Sequence, residues 1–234
     1  MKNWILIFSV TLVFFSCDKE KQECPGATER TFAISGFTRV NTVDAHQVTI
    51  TKGNEFSIKA NGCAIDLNDL ELTLEGNQML NIKYKNFRND RYRVDFTITM
   101  PLLVSANLSG ASKGIISGFG GQNTVIRTVL SGASECSVSG TGINASFDIS
   151  GASKLYLSGN TESLYGTISG ASELRSYDVS ATEVDISVSG SSKAYVRPLD
   201  FFFAEASGNS FVYYKGNPNT THFETSGNSK IIHE

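Results

Sequence analysis

From about residue 106 onward the chain alternates between apolar and polar positions. The alternating runs are short, and small, turn-forming residues break them at near-constant intervals. Seven tetrads of the form Ser-Gly-x-Ser carry the breaks, beginning at Ser109, Ser131, Ser150, Ser169, Ser189, Ser207 and Ser226. Their glycines, Gly110, Gly132, Gly151, Gly170, Gly190, Gly208 and Gly227, are spaced by 22, 19, 19, 20, 18 and 19 residues. Four residues after each glycine stand Gly114, Cys136, Leu155, Leu174, Ala194, Val212 and Ile231. Six after stand Ile116, Val138, Leu157, Ser176, Val196, Tyr214 and His233. Most are apolar with polar residues between, so each repeat holds a half-buried strand. Another strand ends two residues before the glycine, at Leu130, Ile149, Ile168 and Val188, with Phe147, Ile186, Phe202 and Phe223 continuing its inward set. Eight residues after the first six glycines, Gly118, Gly140, Gly159, Asp178, Pro198 and Gly216 mark a second turn. The pattern predicts an all-β fold: a single-stranded parallel β-helix with ~19-residue coils stacked roughly 4.8 Å apart.

The serine two places after each glycine recurs in all seven tetrads, so stacking predicts a hydroxyl ladder beside the turn. A row of nucleophiles is the competing reading, but no His or Lys recurs beside the serines to activate them. Residues 30–105 lack the tetrad yet alternate at Val48-Thr49-Ile50, Phe56-Ser57-Ile58, Leu70 to Leu74, Leu80-Asn81-Ile82 and Val94 to Ile98. Gly53-Asn54 and Gly76-Asn77 read as hairpin turns. This part is expected to form irregular N-terminal coils or a cap, with residues 106–234 as the regular coils of one domain spanning 30–234. At the far end, Lys230 to Glu234 form the last strand, which predicts an uncovered edge and possible end-to-end self-association.

The order Gly36-Phe37-Thr38-Arg39-Val40, Val48 to Asn54, Leu80-Asn81-Ile82, then Ile98-Thr99-Met100-Pro101 running into Leu108-Ser109-Gly110-Ala111-Ser112 resembles the putative auto-transporter adhesin head GIN domain family. The resemblance covers roughly residues 30–234. It implies a right-handed single-stranded β-helix and an envelope or surface location, and it brings no catalytic motif.

The N-terminus changes where this fold is expected to work. Lys2 followed by the apolar run Trp4 to Phe15 reads as an export signal over residues 1–16, too short to serve comfortably as a permanent membrane span. Ser16-Cys17 closes it like a lipobox, making Cys17 the lipidation site; an ordinary signal with a chance cysteine is the alternative. Residues 17–29, opening with Asp18 to Glu23, read as a flexible tether to the outer membrane, on its periplasmic or exposed face. Of the remaining cysteines, Cys24 can pair with Cys63, and Cys136 stands on an inward position as a buried free thiol.

Composition then narrows the chemistry. The 234 residues carry a formal charge of -3 without blocks of one sign, which gives no reason to expect a nucleic acid partner. His46, His222 and His233 fit no metal-ligand spacing, and no phosphate-binding loop appears, so no metal or cofactor is expected. A polysaccharide lyase or hydrolase is the enzyme alternative, resting on Asp148, Asp185 and Tyr165. Three residues after the glycines, Lys113, Glu135, Lys154, Glu173 and Lys193 alternate in sign, which predicts mutual attraction and register control. Five after them, Tyr156, Arg175, Tyr195 and Tyr213 fall on four consecutive coils, with Phe211 beside Tyr213. Aromatics suit strands for structural reasons alone. The functional reading is a platform for a glycan or protein ligand. The expected function is non-catalytic binding; a structural envelope component is a further alternative.

Overall fold

The Ser-Gly-x-Ser turns hold neighbouring coils together, and their geometry requires the residues found there. In the computed structural model, which describes Cys24, residues 26–121 and residues 124–234, Gly151 and Gly170 have φ of +75° and +78°. A Cβ on Gly151 would lie 2.3 Å from the Gly132 carbonyl oxygen, and one on Gly170 would lie 2.5 Å from that of Gly151. The N–H following each glycine donates to that same carbonyl one coil earlier, Ala152 to Gly132 at 2.7 Å and Ala171 to Gly151 at 2.8 Å. The predicted hydroxyl ladder is present. Ser153 Oγ accepts the N–H of Ser134 at 3.2 Å, and Ser172 Oγ that of Ser153 at 3.3 Å. Ser134 Oγ donates to Ser131 O at 2.8 Å, and Ser210 Oγ to Ser207 O at 2.9 Å. Ser112, Ser134, Ser153, Ser172, Ser192 and Ser210 are buried, so these hydroxyls satisfy turn groups that water cannot reach. Gly151→Ala is expected to destabilise the fold by more than ~2 kcal/mol, since a left-handed φ alone costs about 1–2 kcal/mol and the backbone overlap adds to it. Ala152→Ser, at the exposed x position, should change stability by less than about 0.5 kcal/mol. Urea unfolding of the two variants checks the contrast.

Between the turns run two parallel ladders. One stacks Ser105–Leu108, Val125–Leu130, Asn144–Ile149, the second halves of Lys154–Ile168 and Glu173–Val188, then Pro198–Ala206 and Thr220–Thr225. The other stacks Lys113–Ser117, Glu135–Ser139, the first halves of Lys154–Ile168 and Glu173–Val188, then Lys193–Val196, Phe211–Tyr214 and Lys230–His233. The predicted inward positions fill the space between them: Cys136, Leu155, Leu174, Ala194, Val212, Phe147, Ile186 and Phe202 are all buried. Burial fades at the last coil, whose strands pair on one side only among the described residues. Tyr214 and Ile231 are half-buried there, His233 is exposed, and Phe223 keeps 38 % exposure while its ring touches Phe202 at 5.2 Å.

The N-terminal third is stacked out of chain order. Arg39–Thr42 lies between Met79–Tyr84 and Ser105–Leu108, and Gln47–Lys52 lies between Asp95–Met100 and Lys113–Ser117, all in parallel. The coil made first in the chain is therefore sandwiched between two made later. The Met100-Pro101 step carries the chain over it, with Met100 O accepting from Gly53 N at 3.0 Å and Val104 N donating to Thr38 O at 2.7 Å. This arrangement overturns the hairpin expected at Gly53-Asn54. Ser57–Gly62 pairs antiparallel with Asp95–Met100, whose other edge holds Gln47–Lys52. Alternation fixes which face of a strand is buried but not which strand lies beside it. The hairpin at Gly76-Asn77 does form, joining Leu70–Glu75 to Met79–Tyr84 with Asn77 at φ +60°.

The expected tether also ends earlier than residue 29. Thr28–Phe32 pairs antiparallel with Ser57–Gly62, and Cys24 is joined to Cys63 by a disulfide. The free edge of Ser57–Gly62 offers ladder partners to Thr28 and Glu29, which a local composition argument does not see. Residues 1–16, Cys17 and the charged run to Glu23 lie outside the described residues. Cys63 precedes the short helix Ala64–Asn68, which closes this end around the buried carboxylate of Asp66. Asp66 accepts from Arg88 at 2.8 Å, Arg91 at 3.2 Å and the Tyr92 N–H at 3.2 Å. Arg91 also pairs with Asp69 and sits 3.7 Å over the Tyr84 ring.

Candidate functional site

The residues five places after the turn glycines stand in one register column: Ile115, Ser137, Tyr156, Arg175, Tyr195, Tyr213 and Ile232. Stacking of coils thus brings Tyr156, Arg175, Tyr195 and Tyr213 side by side on the outer face. Their contacts differ along the column. Tyr195 and Tyr213 stack with centroids 5.0 Å apart and planes 10° from parallel, so they turn faces toward each other and edges toward solvent. Phe211 lies nearly parallel to Tyr213 at 6.3 Å. The Arg175 guanidinium covers the other side of Tyr195, 5.3 Å from its centroid. Tyr156 has Ser137 and Arg175 as register neighbours, so its ring meets no other ring in the column.

A bulge adds an aromatic residue that the repeat pattern alone does not assign. Tyr156 pairs with Arg175 but Ser158 pairs with Asp178, so the second strand carries one extra residue. Ser176 takes the inward place, fully buried, and donates to Tyr195 O at 2.7 Å. Tyr177 swings outward, edge-on to Tyr195 at 5.5 Å and 83°. Its hydroxyl donates to Glu234 Oε2 at 2.8 Å, and Lys215 Nζ lies 4.5 Å over its ring. The sequence signal for this residue is the 20-residue spacing from Gly170 to Gly190, one longer than the coil before it.

Short side chains on the earlier coils and tall ones on the later coils make a step, and the step is a groove of ≈ 740 Å³. Ser137, Ser139 and Ser158 lie low in it, while Tyr156, Arg175, Tyr177, Asp178, Tyr195 and Lys215 rise around it. Tyr213 and Phe211 continue the aromatic column beyond its lining. Burial, then the nearby Glu234, push the Tyr177 hydroxyl up from its ordinary value; burial, then Glu173, do the same for Tyr195. Both phenols stay protonated at neutral pH, and that of Tyr177 is the donor to Glu234. Glu173 pairs with Arg175 two residues along its own strand at 2.7 Å. The alternating charges Lys113, Glu135, Lys154, Glu173 and Lys193 do stand in register, yet among the described residues the ion pair made by this stripe is that intrastrand one.

On the opposite long face, Asp148 is paired with Arg127 and accepts from Thr167 Oγ1 at 2.9 Å. Asp148 shares a column with Thr167, whereas Asp185 shares one with Tyr165, so the two carboxylates stand in different columns. Burial, then Glu205, raise the Asp185 carboxyl above its usual range. Cys136 is fully buried and its thiol is pushed up to about 12, chiefly by desolvation. Among the described residues no group of three or more His, Cys, Asp or Glu is placed to hold a metal ion. Nor is any helix there long and apolar enough to cross a membrane.

Fold and surface together define a parallel β-solenoid with a filled interior and an aromatic groove on one long face. The chain belongs to the family described as putative auto-transporter adhesin, head GIN domain, whose model matches residues 36–218. Among solved structures it is similar to a putative adhesin from Bacteroides fragilis at 15% identity, covering 90% of this chain and 98% of that one, with a TM-score of 0.79. A putative adhesin from Parabacteroides distasonis is similar at 13% identity, 89% and 97% coverage and a TM-score of 0.71. A putative lipid binding protein from the same species is similar at 18% identity, 90% and 97% coverage and a TM-score of 0.65. At these identities the likeness establishes a shared fold. No curated protein matches the sequence.

Proposed function

We propose that this protein is an exported cell-envelope lipoprotein that binds a glycan or protein ligand in the groove of Tyr156, Arg175, Tyr177 and Tyr195 and does no chemistry on it. The groove carries this reading. It combines aromatic surface, hydroxyls and fixed charges in one concave place, and it stands on paired strands that lose little entropy on binding. Family membership supports an adhesive role. A hydrolytic reading draws less support, because Asp148 is engaged by Arg127 and stands in a different column from Asp185. Lipid binding, the role given to one structural relative, would need an apolar cavity, and the space between these ladders is filled by side chains.

Retention on an immobilised glycan array without release of product is the expected outcome. Replacing Tyr156, Tyr195 and Tyr213 together by Ser should leave the circular dichroism unchanged and weaken retention at least about tenfold, since aromatic hot spots each contribute on the order of 1–2 kcal/mol or more. Undiminished retention by the folded triple variant would return the column to a structural role. For the anchor, Cys17→Ser should release the protein from the membrane fraction while the signal is still cleaved. Unchanged fractionation of that variant contradicts lipidation at Cys17.

A further inference from the structure

The groove contains a guanidinium that the fold positions without using it up. Arg175 donates from Nε to Glu173 Oε1 at 2.7 Å, and its Nη2 lies 2.7 Å from the same oxygen. A guanidinium has five N–H donors, so the remaining edge is open, and the side chain is 56 % exposed. Its place is nevertheless set: Glu173 holds one edge and the Tyr195 ring supports the plane. A planar fork held on one side is preorganised to take a carboxylate bidentately on the other. Lys215 adds a second cation over Tyr177, and among the described residues no carboxylate pairs with it. Beside these charges, Tyr156 offers a ring, while Ser137, Ser139, Ser158 and Asp178 offer partners for hydroxyl groups. Over the coils from Asn144 onward, the opposite long face is the more acidic one. Asp148, Glu183, Asp185, Glu205 and Glu224 stand on its strands, and the Arg127 there is taken up by Asp148.

We propose that the groove recognises an acidic glycan, an oligosaccharide whose carboxylate seats on the open edge of Arg175 with Lys215 as the second cation. This deepens the reading of the groove as the ligand site and rests on it. An acidic peptide would satisfy the two cations but would leave the row of serine hydroxyls and Asp178 without matching hydroxyl partners, so the sugar is favoured.

The test is calorimetric titration of the folded protein with an oligogalacturonide and with a sialylated trisaccharide. Each is compared with its carboxyl methyl ester, and an oligoglutamate of equal charge serves as the peptide probe. At least one free acid is expected to bind about ten- to a hundredfold tighter than its ester, the range for a charge-assisted bidentate pair. Added salt should weaken the acid and spare the ester. Arg175→Gln should bring the acid down to the ester, Arg175→Lys should recover only part of the difference, and Tyr156→Ala should weaken acid and ester by the same factor. Equal binding of acid and ester, an acid preference that survives Arg175→Gln, oligoglutamate binding as tightly as the sugar, or no binding of either acidic sugar overturns the proposal. In any of these cases loss of array retention in the triple tyrosine variant would keep the groove as the ligand site. Unaltered retention would remove that reading as well.

Discussion

Asp66→Asn is expected to lower the unfolding free energy by about 3–5 kcal/mol, the range for removing one partner of a buried ion pair. Asp66 is fully buried, and Arg91 opposite it has a side chain only 4 % exposed. The pair itself need not add net stability, because desolvation offsets much of its attraction. The loss comes from leaving the guanidinium of Arg91 inside with half its compensation gone, along with the unmet N–H of Tyr92. Three further features hang on this point: the Ala64–Asn68 helix, the Cys24–Cys63 disulfide at its start, and the Tyr84 ring beneath Arg91. Glu29→Gln, which breaks an exposed pair with Lys59 at 3.1 Å, should cost under about 1 kcal/mol. Urea unfolding of both variants tests the contrast, and equal effects would mean that the cluster is solvated. Acid should weaken the same end. The hydrogen bond from Arg91 holds the Asp69 carboxyl below its ordinary range. A carboxyl with a lowered folded value stabilises fully above its unfolded value, and that contribution is lost as pH falls through the folded one.

Leu155→Ala is expected to cost about 2–5 kcal/mol, and Lys154→Ala under about 1 kcal/mol. The two residues are adjacent in sequence and opposite in environment. Leu155 is fully buried between Cys136 and Leu174 of the neighbouring coils, and Lys154 projects from the outer face. Removing the Leu155 side chain leaves a cavity between walls held by hydrogen bonds, since each neighbour is fixed by its own ladder and turn. Collapse is hindered, which favours the upper part of the range. Similar midpoints for the two variants in chemical unfolding would contradict the register assigned to the second ladder.

The regular coils were legible because stacking converts a sequence period directly into a spatial column. Leu155 and Leu174 are nineteen residues apart and are register partners, and the same arithmetic places Tyr156 beside Arg175 and Arg175 beside Tyr195. Each coil contacts its neighbours, so little beyond the local period is needed. The N-terminal third was less legible. Its strands alternate as clearly as the others, but alternation names a buried face and not a partner. The pairing of Ser57–Gly62 with Asp95–Met100, and the insertion of Gln47–Lys52 on the far edge of that strand, depend on contacts across many residues.

For this chain, the amino-acid sequence determined the coil, its period, its inward residues and the in-register column on its outer face, because these follow from spacing and side-chain polarity. Tertiary structure decided the stacking order of the first coils, the disulfide between Cys24 and Cys63, and the shape of the groove. The groove exists because one coil carries an extra residue after the inward Ser176, which leaves Tyr177 and Asp178 both facing outward, and because Tyr195 stacks on Tyr213 and leaves Arg175 supported beside the cleft. A single inserted residue reverses the facing of its neighbours in a strand of period two. Where that reversal is absorbed, and which side chains then meet across coils, is fixed only when the coils are stacked.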